Sequence, residues 1–322
     1  MKQTLDTPGD ALRMLIVNAD GEYYAQELAR RVPHVAFDWI RPGQPVPERA
    51  WTAAALACFA SALDSQLLAS LPGLRWLQAL SSGMDGIAGH PGLPPGTLLT
   101  SAHGIHGPAV SEMALTMMLA LARDLPGILA DQRAHRWRRR PQPLLHGKTL
   151  VVLGTGLIAA ELAQKCQALG MRTLALSGTP RPVAGFERVY AREHLREVAA
   201  QADFLVLLAP LTEATRGLVD ASVLAVLPPR AHVINLARAG LCDTAALVDA
   251  LRGERLAGAA LDVFEREPLP ADDPLWSVPR LLITPHLGGE SDRYADRVLP
   301  LIEHNVRAYA AGDLAGLRNR VC

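Results

Sequence analysis

Leu150-Val151-Val152-Leu153-Gly154-Thr155-Gly156-Leu157-Ile158-Ala159 is the stretch that decides the fold. Four apolar residues run unbroken into a glycine-rich turn, and the turn opens a segment of helical pattern over about residues 157–169. An unbroken apolar run suits a strand buried on both faces, as in a parallel sheet. The turn reads Gly-x-Gly-x-x-Ala and sits directly between strand and helix, the context such a turn needs to cradle a pyrophosphate. Gly154 permits the tight turn, Gly156 lets the backbone approach the anion, and the small Ala159 lets helix pack close to strand. The N–H groups and positive dipole at the helix start, around Thr155, Leu157 and Ile158, complete the anion site.

Working outward, strands are predicted at 149–153, 172–176, 204–208, 232–235, 258–262 and 281–284, with helices at about 157–169, 193–201, 218–226 and 243–252. Six buried strands joined by crossovers predict a doubly wound sheet. Upstream, apolar runs at 13–17, 56–59, 74–80 and 98–100 alternate with helical patterns, one reaching about Val32 and one at Asp64–Ser70. They predict a second parallel α/β layer. Pro and Gly clusters at 41–47 and 91–96 mark loops. A long helix is predicted at about Pro108–Arg123 and another at about Ser291–Ala311. The basic stretch 133–143 (RAHRWRRRPQP), with Trp137, reads as a solvated or subunit-contact loop.

A length of 322 residues suits two domains. With 49% hydrophobic and 20% charged residues the chain is globular rather than disordered. Thirty-two basic residues balance 32 acidic ones, which argues against nucleic-acid or anionic-membrane binding. Only Lys2, Lys148 and Lys165 are lysines, so an anion held by a side-chain cation is held by arginine. No apolar run approaches the length of a membrane span, and the N-terminus lacks the apolar core of a signal peptide. Cys58, Cys166, Cys242 and Cys322 are far apart, so free thiols in a cytoplasmic protein are expected, with no metal site.

In a dinucleotide-binding fold the second strand normally ends in an acid that binds the adenosine ribose hydroxyls. Here it runs into Ser177-Gly178-Thr179-Pro180-Arg181, with no acid until Glu187. Ser177 and Thr179 offer hydrogen bonds to a 2′-phosphate and Arg181 offers a charge partner. NADP is therefore expected over NAD.

Three later strands run into unusual polar residues: Asn235-Leu236-Ala237-Arg238-Ala239, Asp262-Val263-Phe264-Glu265-Arg266-Glu267-Pro268 and Thr284-Pro285-His286-Leu287-Gly288-Gly289. In open α/β sheets, ligands bind at the carboxyl ends of strands. With Pro210-Leu211-Thr212-x-x-Thr215-Arg216 and the Gly154–Ala159 turn, the order and spacing of these segments resemble the D-isomer-specific 2-hydroxyacid dehydrogenases, a family that includes glyoxylate/hydroxypyruvate reductases. The resemblance covers nearly the whole chain. It implies two doubly wound domains: a flavodoxin-like substrate (lid) domain, residues 1–102 and 290–322, and a Rossmann cofactor domain, residues 103–289, with a cleft between them. It implies Arg238, Glu267 and His286 as the catalytic set. It implies that Ala237 and Asp262 hold the nicotinamide end, with Pro210, Thr215 and Gly288 also at the cofactor, and it suggests a homodimer built through 108–146.

The chemistry needs these residue types. Reduction of a 2-oxo acid delivers a hydride to carbon and a proton to oxygen. A histidine suits the proton transfer because it titrates near neutral pH. Glu267 would stabilise its imidazolium, and Arg238 would pair with the substrate carboxylate and polarise the carbonyl. Leu80–Gly86 resembles the family's substrate loop, with the backbone N–H groups of Ser82, Gly83 and Met84 gripping the carboxylate. Ala239 stands where the family usually has Gly. The lid loop has no lysine, which disfavours phosphonate oxidation, and Glu267 rather than Gln disfavours formate. A D-2-hydroxy acid dehydrogenase working as a 2-oxoacid reductase is expected. The alternative is a non-enzymatic, dinucleotide-sensing corepressor of the same fold.

Overall fold

The computed structural model describes residues 12–321; Lys2 and Cys322 lie outside them. The described chain divides into two units, one reaching to Ile105 and resuming at Ser291, the other spanning His106–Glu290.

In the first unit, β1 (Arg13–Val17), α1 (Gly21–Arg31), β2 (Ala36–Ile40), β3 (Ala55–Cys58), α2 (Ser65–Ala69), β4 (Trp76–Ala79) and β5 (Leu98–Thr100) follow one another. In the second come α3 (Gly107–Ala122), α4 (Leu125–Arg133), β6 (Thr149–Leu153), α5 (Leu157–Ala168), β7 (Arg172–Ser177), β8 (Arg188–Ala191), α6 (Leu195–Ala199), β9 (Phe204–Leu207), α7 (Ala221–Val226), β10 (His232–Asn235), α8 (Thr244–Arg252), β11 (Gly258–Leu261) and β12 (Leu281–Ile283). The chain then returns to the first unit as α9 (Tyr294–Ala310).

Both sheets are parallel. The first runs β2-β1-β3-β4-β5, the flavodoxin-like order, and the second β12-β11-β10-β9-β6-β7-β8, a Rossmann order with one further strand. Strand alternation explains the unbroken apolar runs. In β1, Met14 and Ile16 pack with α1 and α9 while Leu15 and Val17 pack with α2. In β6, Val151 and Leu153 face the cluster of α6, α7 and α8, while Leu150 and Val152 face α3 and α5. Each such side chain, fully buried, contributes about 1.5–3 kcal/mol relative to exposure.

Two strands depart from the sequence expectation. The second sheet has seven strands rather than six; the extra one, β8, is a half-exposed edge strand whose Arg188 lies over the Tyr190 ring. In the first sheet, the apolar pattern of β2 is broken by Asp38, which is buried against Arg13 and Arg49. The helix α4 is a further departure, since the sequence expectation has no element there. The other boundaries lie within a few residues of those expected.

A buried polar chain fixes α9 to the first sheet. The Trp76 indole donates to Thr100 Oγ1 at 2.9 Å, Thr100 donates to Gln78 Oε1 at 2.8 Å, and Asn305 on α9 donates to the same oxygen at 2.8 Å. Tyr309 stacks on Trp76 with ring centroids 4.9 Å apart.

Candidate active site

Gly154 follows β6 with φ +114°, and a Cβ there would lie 2.9 Å from the backbone of Leu208 and Ala209. Both the conformation and the packing demand glycine. Gly156 differs: its φ is −72°, and a Cβ would meet nothing within 4 Å. Among the described residues nothing requires a glycine there, and the open space leaves that backbone bare for a ligand to approach. The helix α5 that starts beyond it has no side-chain cap and no acidic residue in its first turn, and Leu157 is left 60% exposed. These features fit the pyrophosphate of a dinucleotide, held by N–H groups at the helix start.

The polar residues after β10, β11 and β12 lie at the carboxyl ends of three neighbouring strands in the second unit. Asn235, buried at the end of β10, donates to the Arg238 carbonyl at 2.9 Å and accepts from the Ala237 N–H at 3.1 Å, closing the turn that presents Arg238. Asp262, 1% exposed after β11, accepts from the Thr284 hydroxyl, from Leu287 N at 2.9 Å and from Gly288 N at 2.8 Å. One carboxylate thereby fastens both sides of the loop that carries His286. Gly288 is tight for the same reason, since a Cβ would stand 2.9 Å from Asp262 Oδ2.

Glu267 accepts from Phe264 N at 2.9 Å through Oε1, and its Oε2 lies 2.7 Å from His286 Nδ1. His286 itself has φ +53°, an uncommon conformation for a non-glycine residue. In this pair Nδ1 donates to the Glu267 carboxylate, and the other ring nitrogen, Nε2, is left clear of that bond.

A family model described as D-isomer specific 2-hydroxyacid dehydrogenase, NAD binding domain, matches residues 115–288, more than half of the sequence. The chain belongs to the D-isomer-specific 2-hydroxyacid dehydrogenase family. It is 36% identical over 254 residues to an (S)-sulfolactate dehydrogenase of Chromohalobacter salexigens, covering 76% of this chain and 80% of that protein. The crystal structure of a family protein from Aeromonas salmonicida superposes with a TM-score of 0.88 at 32% identity, covering 97% of this chain and 99% of that one. An NADPH-dependent glyoxylate/hydroxypyruvate reductase from Sinorhizobium meliloti, solved with NADP and sulfate, gives 0.81 at 26% identity over 96% and 98%. The chain also matches mycobacterial D-3-phosphoglycerate dehydrogenases at 32% identity, spanning about half of their length (48%). None of these relatives is described as a corepressor, and that alternative gains no support.

As a member of this dehydrogenase family the chain carries a dinucleotide-binding second unit, and the remaining expected residues fall as follows. Ser177 ends β7 and takes the Thr155 hydroxyl at 3.2 Å, tying the phosphate turn to the loop of Thr179 and Arg181, both exposed. Thr215 is buried, and its hydroxyl donates to the Pro210 carbonyl at 2.7 Å and accepts from Thr212 N at 2.7 Å. It shapes the loop after β9 rather than presenting a free hydroxyl. Ser82, Gly83 and Met84 lie in the first unit, in a bend after β4 held by the Ser81 hydroxyl on the Gly83 carbonyl and by Ile87 N and Ala88 N on the Met84 carbonyl. Ser82 Oγ is 3.4 Å from His103 Nδ1.

Sequence reasoning missed two features. One is Asp262 as the fastening of the His286 loop; the other is Arg192, which lies against Gly178. Burial pushes the thiols of Cys58, Cys166 and Cys242 up to about 12, so none is poised as a nucleophile. Among the described residues no group of three or more His, Cys, Asp and Glu could hold a metal, and no single helix is long and apolar enough to cross a membrane.

Proposed function

We propose that the chain is a cytoplasmic 2-oxoacid reductase that uses NADPH in preference to NADH and forms a D-2-hydroxy acid. The Glu267–His286 hydrogen bond at 2.7 Å carries this reading, because it leaves one imidazole nitrogen to handle the proton that carbonyl reduction requires. Gly154, Thr155, Gly156, Leu157 and Ile158 hold the pyrophosphate; Ala237, Asp262 and Gly288, with the Pro210–Thr215 loop, bound the nicotinamide end. Bound dinucleotide supplies the hydride to the carbonyl carbon.

The protein's own part is positioning and proton transfer. Arg238 pairs with the substrate carboxylate and draws charge toward the carbonyl oxygen. In the first unit, the backbone N–H groups of Ser82, Gly83 and Met84 are the candidates for holding a carboxylate. His286, doubly protonated, gives its Nε2 proton to the carbonyl oxygen and is left as the neutral Nδ1–H tautomer, which Glu267 holds in place. In the oxidative direction neutral Nε2 takes the hydroxyl proton.

NADPH is favoured because β7 ends in Ser177 with no acid in its loop, so nothing there repels a 2′-phosphate. The glyoxylate/hydroxypyruvate reductase relative, described as NADPH-dependent, supports glyoxylate and hydroxypyruvate as first substrates to test. A homodimer is favoured by the apolar residues left exposed on α3, α4 and the following segment: Leu119, Leu125, Ile128, Leu129, Trp137 and Leu144.

Initial rates with a panel of 2-oxo acids, each with NADPH and NADH, test the reading. Turnover of small 2-oxo acids with kcat/KM about tenfold or more higher for NADPH is expected, with a D-configured product. A preference for NADH overturns the cofactor assignment. Dinucleotide binding without turnover of any 2-oxo acid overturns the enzyme.

A further inference from the structure

Gly178 sits in the Ser177–Arg181 loop without a left-handed backbone angle to require it, yet a Cβ there would stand 1.9 Å from Nη2 and 2.9 Å from Cζ of Arg192. The bare backbone makes room for a guanidinium. Arg192 comes from just beyond β8, and its Nη1 donates to the Ala214 carbonyl at 3.0 Å, in the loop after β9. The sheet order β9-β6-β7 places β6 and its phosphate turn between those two loops. Arg192 therefore bridges the carboxyl ends of the strands that flank the pyrophosphate site, next to the residues where an adenosine ribose ends.

We propose that Arg192 is the specificity-determining cation for the adenosine 2′-phosphate, acting with Ser177 and Thr179; the inference rests on the NADPH reading and deepens it. A guanidinium presents five N–H donors in a planar fork that matches phosphate geometry. One edge is anchored on Ala214, which fixes the plane and lowers the entropy lost when the other edge engages a ligand. Arg181, in contrast, is an exposed side chain on the loop itself, with no hydrogen bond to hold it among the described contacts. The sequence disguises the assignment because Arg192 follows a further strand.

Calorimetric titration of wild type, Arg192→Gln and Arg181→Gln with adenosine 2′,5′-bisphosphate and with AMP separates the contributions without any turnover. Wild type is expected to bind the bisphosphate about tenfold or more tighter than AMP. Arg192→Gln should bring that ratio close to one, with Arg181→Gln losing less. The KM ratio of NADPH to NADH should rise in Arg192→Gln by a similar factor. A wild-type ratio in Arg192→Gln, by either measurement, overturns the role of Arg192 and leaves the NADPH reading standing. A ratio near one in the wild type overturns the NADPH reading itself.

Discussion

Glu267 joins two partners at once: Oε2 meets His286 Nδ1 at 2.7 Å while Oε1 accepts the Phe264 N–H at 2.9 Å. The carboxylate is thus oriented by the backbone before it orients the imidazole. Replacing His286 by Asn should lower kcat by roughly 10²–10⁴-fold, with dinucleotide affinity little changed. Glu267→Gln should cost less, since His286 remains but its tautomer is no longer enforced. Steady-state rates with the best 2-oxo acid check both; an Asn variant that keeps most of its kcat removes His286 from the reaction.

Asp262 predicts a coupled loss of stability and rate. Asn at this position would turn an amide N–H toward donors now satisfied by carboxylate oxygen, at Thr284, Leu287 or Gly288. Such a buried mismatch costs about 1–3 kcal/mol. Urea unfolding should show it, and kcat should fall as the His286 loop loosens. Wild-type stability in Asp262→Asn would mean the loop is held by something else.

The two glycines of the phosphate turn should separate folding from binding. Gly154→Ala forces a residue into φ +114° against the Leu208–Ala209 backbone, so it should destabilise the protein by about 1–3 kcal/mol or more. Gly156→Ala has open space and an ordinary backbone angle. Its melting temperature should match wild type while NADPH affinity drops. A Gly156→Ala protein with unchanged affinity would show that the pyrophosphate does not lie on that backbone.

His232 should make the protein acid-sensitive. Its ring is stacked on Phe204, largely buried, and burial pushes its pKa down to about 4. Unfolded histidine titrates near 6.5, so between these values the unfolded chain holds a proton that the folded chain excludes. Stability is therefore full above about pH 6.5 and is lost as pH falls toward 4, by roughly 3 kcal/mol at most for this group. Carboxylates held low, such as Asp203, lose their contribution only further down. Urea unfolding at pH 7.5 and 4.5 should show a smaller decrease for His232→Gln than for wild type; equal decreases would assign the acid sensitivity elsewhere.

What the sequence made legible follows from how locally each feature is encoded. The β6–turn–α5 unit is contiguous, and every residue in it reports on the same crossover. The strands buried on both faces announce themselves as apolar runs. Two of the three missed elements owe their stability to partners distant in sequence: β2, whose Asp38 is tolerated because Arg13 and Arg49 neutralise it, and the half-exposed edge strand β8. In the site, residue types at strand ends pointed to Arg238, Glu267 and His286. The roles of Asp262 as a fastening and Arg192 as a bridge depend on bonds to residues 22 or more positions away, which no spacing reveals.

The polar chain from Trp76 through Thr100 and Gln78 to Asn305 sets the order in which the molecule can be completed. A ribosome delivers β1 to β5, then the whole inserted unit, and only afterwards the helix that caps them. Until that helix emerges, Gln78 lacks the Asn305 amide and Trp76 lacks its stacking partner, so one face of a finished set of strands waits uncovered. Closing so long an excursion carries an entropic cost that falls if the inserted unit folds first and brings its two ends together.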